Sequence, residues 1–296
     1  MSSVNASARE TAATTLAAVA ARLRCPTCGV SLNHADRALA CARGHSFDLA
    51  RHGHVALAPR RGRIARGDST AMVAARETFL GGGHYAPIAD AITAAARPLV
   101  GQVAEDARAV VDLGAGTGYY LATLLNELPD WWGIALDSSR AALRRAVHAH
   151  PRIAAIACDV WQELPVQNAT AGLVVNVFAP RNEHEVARVL CAQGALVVVT
   201  PTPHHLQELV LKLGLLGIEE GKQARLHAKL ARQFRAVGRR QIEFDMTLGH
   251  EDIQALTAMG PNAHHVSADD VCQRLAHVAD DLRVTASVIV ETFRRI

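Results

Sequence analysis

Residues Val110–Gly118 read VVDLGAGTG. An apolar run carrying one acid, Asp112, gives way to three glycines spaced two apart, Gly114, Gly116 and Gly118. The run is continuous rather than alternating, the pattern of a strand buried on both faces of a parallel sheet. YYLATLLNEL follows at once with helical spacing. Strand, glycine turn and helix form the unit from which open α/β sheets are built. The same alternation continues through WWGIALD, a helix capped by Ser139 and running to Ala149, IAAIACD, AGLVVNVFAP, a helix over 183–190, and GALVVVTP. Beyond His204 come helices and two longer strands, RQIEFDMTLG and LRVTASVIVETFRR. On the amino side, helices at 72–80 and 88–99 flank GGGHYAP, and 59–70 is a Pro/Gly/Arg-rich linker. The expected fold is α/β: a mainly parallel, doubly wound, Rossmann-like sheet over 71–296.

The loop is G-x-G-x-G, not the G-x-G-x-x-G of dinucleotide sites. Those sites offer backbone N–H groups to a pyrophosphate and have little use for an acid at the turn. S-adenosylmethionine has no phosphate and carries a cationic sulfonium, so Asp112 suits it. Asp137 ends the second strand, where a carboxylate can take both ribose hydroxyls. Asp159 ends the third, within reach of an adenine amino group. Three acids at three successive strand ends, with the loop Gly114–Ala115–Gly116–Thr117–Gly118, predict a cofactor site.

NVFAPRN closes the fourth strand, where an acceptor should sit. The N-P-P-Y signature of exocyclic-amine methylation is missing, because Asn176 is followed by Val177 and Phe178. Ring nitrogens remain as acceptors. Phe178 is a candidate to stack a flipped base, Arg181 to hold a phosphate or a guanine carbonyl, and Asn176 to line the site. Trp131 and Trp132 read as packing residues. No carboxylate identifies itself as a general base.

The front of the chain is of another kind. Cys25, Cys28, Cys41 and His45 form C-x2-C-x12-C-x3-H. Two tight pairs of such ligands suit tetrahedral zinc, and with all four positions filled the metal is structural. Residues 23–58 are too few for a self-sufficient core, so metal binding supplies folding energy. His34 lacks the paired spacing. Cys158, Cys191 and Cys272 lie on apolar segments and read as core. Residues 22–66 hold nine arginines against Asp36 and Asp48, while the 296-residue chain carries only +3, so the remainder is acidic. A basic front suggests a polyanionic partner. Residues 1–22 read as a frayed helix or flexible leader rather than a signal peptide, which predicts a cytoplasmic, reducing location. No apolar run is long enough for a membrane span.

LGAGTG with the acid after strand two resembles class I S-adenosylmethionine-dependent methyltransferases. With the cysteine cluster, GDSTAMVAARETFLGGGHYAP, NVFAPRN and TPTPHHL, the chain after Leu23 is similar to the RlmA family of 23S rRNA guanine-N1 methyltransferases. Within that family it is nearest the Gram-positive, TlrB-like tylosin-resistance branch. The resemblance implies a zinc module packed on the methyltransferase domain to grip an rRNA hairpin near the macrolide tunnel. It implies zinc on Cys25, Cys28, Cys41 and His45, and cofactor contacts from Tyr85, Gly116, Thr117, Asp137 and His205. A homodimer is left open. Two competing readings are a small-molecule methyltransferase, which the rear domain alone would allow, and a non-catalytic zinc-bearing RNA-binding protein. The basic module argues against the first and the intact cofactor residues against the second.

Overall fold

A computed structural model describes residues 2–58, 67–217, 221–277 and 280–296. The chain opens with α1 (Ser2–Val19). A three-stranded antiparallel sheet follows, in order β1 (Leu32–Ala35), β2 (Ala38–Cys41), β3 (Ser46–Asp48). A two-residue strand, β4 (Val55–Ala56), leads out of it. Then come α2 (Thr70–Gly81) and α3 (Ala86–Val100).

The sheet predicted from the glycine loop is present. Its parallel part contains β5 (Ala109–Leu113), β6 (Trp132–Asp137), β7 (Ile153–Ala157), β8 (Ala171–Val177) and β9 (Leu190–Pro201). Their connectors include α4 (Tyr119–Glu127), α5 (Arg140–Ala149) and α6 (Glu183–Val189). Past β9 lie α7 (Gln207–Leu213), α8 (Lys222–Leu230), β10 (Phe234–Leu248), α9 (His250–Ala258), α10 (Ala268–Leu275) and β11 (Leu282–Arg295). The full order is β10-β11-β9-β8-β5-β6-β7-β4, with β11 antiparallel to both neighbours. Every residue of β5, β7 and β8 is buried, which is why those segments read as unbroken apolar runs. Ser139 caps α5 by accepting the Ala142 N–H at 3.2 Å, and Leu190 begins β9 rather than ending α6.

One expectation at the front needs revision. From Ala12 onward the expected leader is packed: α1 buries Ala12, Leu16 and Val19. These recur at i, i+4 and i+7, one face of a helix, and that face packs on the sheet beside β6 and β7. Residues 23–58 pack on the main sheet. β4 joins the main sheet in parallel register with β7, Val55 opposite Ile156. Leu23, Cys25, Leu32, Leu39 and Cys41 share one apolar core with Val160, Leu164 and Val166. Most of the expected linker, 59–66, lies outside the described residues. Trp131, Cys158 and Cys191 are buried as expected, but Cys272 is exposed on α10. No helix among the described residues is long and apolar enough to cross a membrane.

Candidate active site and metal centre

The metal centre is built by two reversals of the chain. Gly29, with φ +77°, closes the turn after Cys25 and Cys28, and Gly44, with φ +82°, closes the turn between Cys41 and His45. The Gly29 N–H donates to the Cys25 carbonyl and the Gly44 N–H to the Cys41 carbonyl, both at 2.9 Å. The four ligand atoms lie within 4.8 Å of one another. Cys28 Sγ is 3.6 Å from Cys41 Sγ, and His45 Nδ1 is 3.3 Å from Cys41 Sγ and 3.6 Å from Cys25 Sγ. A zinc tetrahedron with ordinary bond lengths has S···S edges of about 3.8 Å and S···N edges of about 3.6 Å, so the cage fits the ion. Burial resists ionisation of Cys41, but the N–H groups of His45 and Arg43, joined by the His45 ring and Cys28, together outweigh it and bring the thiol down to about 6. The thiolate is the form that binds metal. His34 stays outside the cage.

The cofactor loop hangs from the carboxyl ends of β5 and β6. Gly114, Gly116 and Gly118 all have positive φ. A Cβ on Gly114 would stand 2.6 Å from the Ala179 Cβ, so the glycine lets this loop touch the one after β8. Asp137 pins the turn from the other side. Its Oδ2 accepts the Gly116 N–H at 2.8 Å and its Oδ1 the Ser139 N–H at 2.7 Å. Burial raises its pKa and those two N–H groups pull it back. Each oxygen has a second lone pair to offer a further donor. Asp112 is buried, and desolvation together with Asp137 pushes it up to about 7. Asp159 Oδ1 accepts the Trp161 N–H at 3.0 Å, which fixes the turn after β7. A glycine turn free of side chains, with acids at adjacent strand ends, suits a nucleoside bearing a cationic amino-acid tail.

Beside the loop stand three rings. Tyr85 Oη and His205 Nε2 are 3.2 Å apart, both residues buried. The Ser287 N–H donates to His205 Nδ1 at 3.2 Å. The ring proton therefore sits on Nε2, and His205 donates to Tyr85. Burial lowers the His205 pKa to about 4, so the imidazole is neutral at physiological pH. Phe178 lies 5.8 Å from the His205 ring and 6.2 Å from Tyr85. It has φ +54°, a left-handed conformation that costs a non-glycine residue on the order of 1–2 kcal/mol. It is nonetheless 42% exposed. A strained, exposed ring at the carboxyl edge of a sheet marks a working surface.

The RlmA N-terminal zinc-ribbon profile matches residues 23–63 and a methyltransferase-domain profile matches residues 110–196. A 23S rRNA (guanine(748)-N(1))-methyltransferase of Streptomyces fradiae is 44% identical over 90% of this chain and 94% of its own. The chain belongs to the RlmA family. A putative 23S rRNA (guanine-N(1)-)-methyltransferase of Micromonospora griseorubida is 45% identical over 93% and 97% of the two chains. Another, from Bacillus subtilis, is 31% identical over 63% and 66%. The protein is accordingly an S-adenosylmethionine-dependent methyltransferase with a structural zinc ribbon.

In this RlmA-family chain the three candidate acceptor residues differ in setting. Asn176 is fully buried, and its Nδ2 donates to the Pro180 carbonyl at 2.9 Å. It holds the loop that carries Phe178. Arg181 is largely buried and has Glu183 and Glu291 as charged neighbours. Tyr85 and His205, expected at the cofactor, stand beside Phe178. Two polar residues escaped the sequence reading. Arg76 Nη2 donates to the Met259 carbonyl at 2.7 Å, Nη1 pairs with Asp68, and a Cβ on Gly116 would lie 3.4 Å from Nη1. This cation stands over the cofactor loop. Glu243 Oε2 accepts the Ser287 hydroxyl at 2.7 Å, and Ser287 Oγ accepts that of Thr202 at 2.7 Å. Glu243 is the carboxylate wired to the aromatic group through Ser287. Near Ser139 and Asp68 an open cleft of about 2060 Å³ runs between the start of α2, the start of α5 and α9–α10.

Proposed function

We propose that this protein methylates N1 of a guanine in a hairpin loop of 23S rRNA, the counterpart of the guanine named for the S. fradiae relative. The observation that carries the reading is the group of Phe178, Tyr85 and His205 beside the cofactor loop. A base that is modified on its Watson–Crick edge must leave its stack, and the exposed ring of Phe178 is the face offered to it. When bound, S-adenosylmethionine supplies a methyl already activated by its cationic sulfur. The protein's own residues do the rest. Asp137 fixes the loop and accepts from the ribose, Asp112 faces the positive charge, and Arg76 holds the carboxylate of the amino-acid tail. Phe178 stacks the guanine against the neutral His205–Tyr85 pair and excludes water. Guanine N1 carries a proton at neutral pH. Glu243 accepts it as the N1 electron pair forms the new C–N bond, while its other oxygen can take an N2–H of the same edge.

A small-molecule acceptor fits less well. Such a substrate has no use for a basic zinc module. A target near the macrolide tunnel would place the enzyme in the cytoplasm and give resistance to tylosin-type macrolides. The test is rRNA from a strain lacking the enzyme, treated with protein and cofactor. Digestion and mass spectrometry should return 1-methylguanosine, and reverse transcriptase should stop one nucleotide before it. N2-methylguanosine, N6-methyladenosine or a 2′-O-methyl product would overturn the assignment.

A further inference from the structure

Between Glu220 and Glu243 the chain carries seven cations, Lys222, Arg225, Lys229, Arg232, Arg235, Arg239 and Arg240, and no carboxylate. This charge rivals that of the zinc module, and the net charge of +3 leaves everything outside the two segments strongly acidic. The fold turns the run into a surface. It covers α8 and the first half of β10, and Arg225, Lys229, Arg232, Arg235, Arg239 and Arg240 are exposed. β10 is the terminal strand of the eight-stranded sheet, paired only with β11 among the described residues, at the opposite edge from β4 and the zinc module. Lys229, Arg232, Arg235 and Arg240 form no ion pair among the described residues, whereas Arg239 approaches Glu291 at 3.5 Å.

We infer that α8 and the first half of β10 form a second phosphate-binding surface for the substrate RNA, an inference that rests on the rRNA reading above. The two basic surfaces flank the sheet, whose eight strands span about 34 Å at the usual strand spacing. The reacting edge lies between them on a body of the wrong sign for a polyanion. An RNA can reach that edge without repulsion only by lying across both flanks. Arginine forks match phosphate oxygens, and positions 235 and 240 on one strand stand about 16 Å apart, a span of several nucleotides. The competing explanation is that the cations only keep an open edge strand from pairing with another copy.

Full-length, zinc-loaded Arg235→Gln/Arg240→Gln protein separates the two. We expect the logarithmic salt dependence of binding to an rRNA hairpin, followed by fluorescence anisotropy, to flatten by about two phosphate contacts, each worth roughly 0.7–0.9 in slope. Affinity at moderate salt should fall at least about tenfold, while the single-turnover rate at saturating RNA and cofactor affinity stay as in the parent. An Arg37→Gln/Arg43→Gln pair on the zinc module should flatten the slope independently. An unchanged slope in the β10 variant overturns the inference, and so does an unchanged slope accompanied by self-association in sedimentation. A flattened slope with a product other than 1-methylguanosine would keep the surface and remove the base assignment. Formation of 1-methylguanosine with an unchanged slope would do the reverse.

Discussion

The zinc module and the carboxyl edge of the sheet are built on opposite terms. In the module, four ligands saturate one ion, Gly29 and Gly44 take the left-handed positions of the two ligand turns, and the strands lean on a core shared with the sheet. Its chemistry is spent on holding one shape. At the carboxyl edge, Phe178 and Leu206 occupy left-handed backbone without being glycine. There Asp112 is pushed up to about 7 and His205 down to about 4 by burial. Tension of this kind concentrates where a protein must act rather than merely persist.

If that contrast is right, damage to the two regions will differ in kind. Cys41→Ser should have the largest effect. Zinc measured per chain should drop well below one, and rRNA methylation should vanish because the module loses its shape. Cofactor affinity by calorimetry should largely survive, since Asp137 and the glycine loop are braced by β5 and β6. Methylation by zinc-free protein would erase the distinction.

Damage at the edge should leave the fold and strike the rate. Glu243→Gln is expected to lower single-turnover methylation by about 10²–10⁴-fold, the usual contribution of a positioned proton acceptor. RNA and cofactor affinities should hold. Raising the pH toward the ionisation of guanine N1 should recover part of the rate, a response that a merely structural Glu243 would not give. Phe178→Ala should cost less, about 5- to 150-fold in turnover at constant cofactor affinity, because base stacking is worth roughly 1–3 kcal/mol.

The smallest effect sharpens the comparison through pH. The folded protein holds the Asp112 proton more tightly than the unfolded chain, about 7 against an ordinary 3.8. The carboxyl's contribution to stability therefore falls as pH rises from about 4 to about 7, and levels off above. Asp112→Asn should flatten that stretch of a Tm-against-pH curve and raise Tm by a few degrees at pH 7.5. It should also reduce the preference for S-adenosylmethionine over its uncharged thioether product.

The same two regions differ in how far the sequence discloses them. C-x2-C-x12-C-x3-H and VVDLGAGTG are local devices, and spacing within about twenty residues carries both ligand set and loop. The acceptor group is assembled from distant parts. Tyr85 and His205 are 120 positions apart, and Glu243 meets Ser287 across 44. No periodicity connects such pairs; only strand order does. Asn176 is hard to read in sequence, because a polar residue at a strand end can brace a loop as well as face a substrate. The α8–β10 charge was visible as composition but had no geometry until β10 proved to be an edge. The leader misled through its alanines, although Leu16 and Val19 supplied the helical stripe.

The pairing of β4 with β7 has a consequence for synthesis on the ribosome. Val55 must wait for Ile156. At elongation rates of about 5–20 residues per second, that partner follows some 5–20 s later. Throughout the interval the nascent front end has neither its sheet nor the core beneath α1. The metal and the short β1–β3 sheet are tethers that can act before the rest of the chain arrives, so the timing of zinc capture bears on how the newborn polypeptide survives until its docking partner emerges.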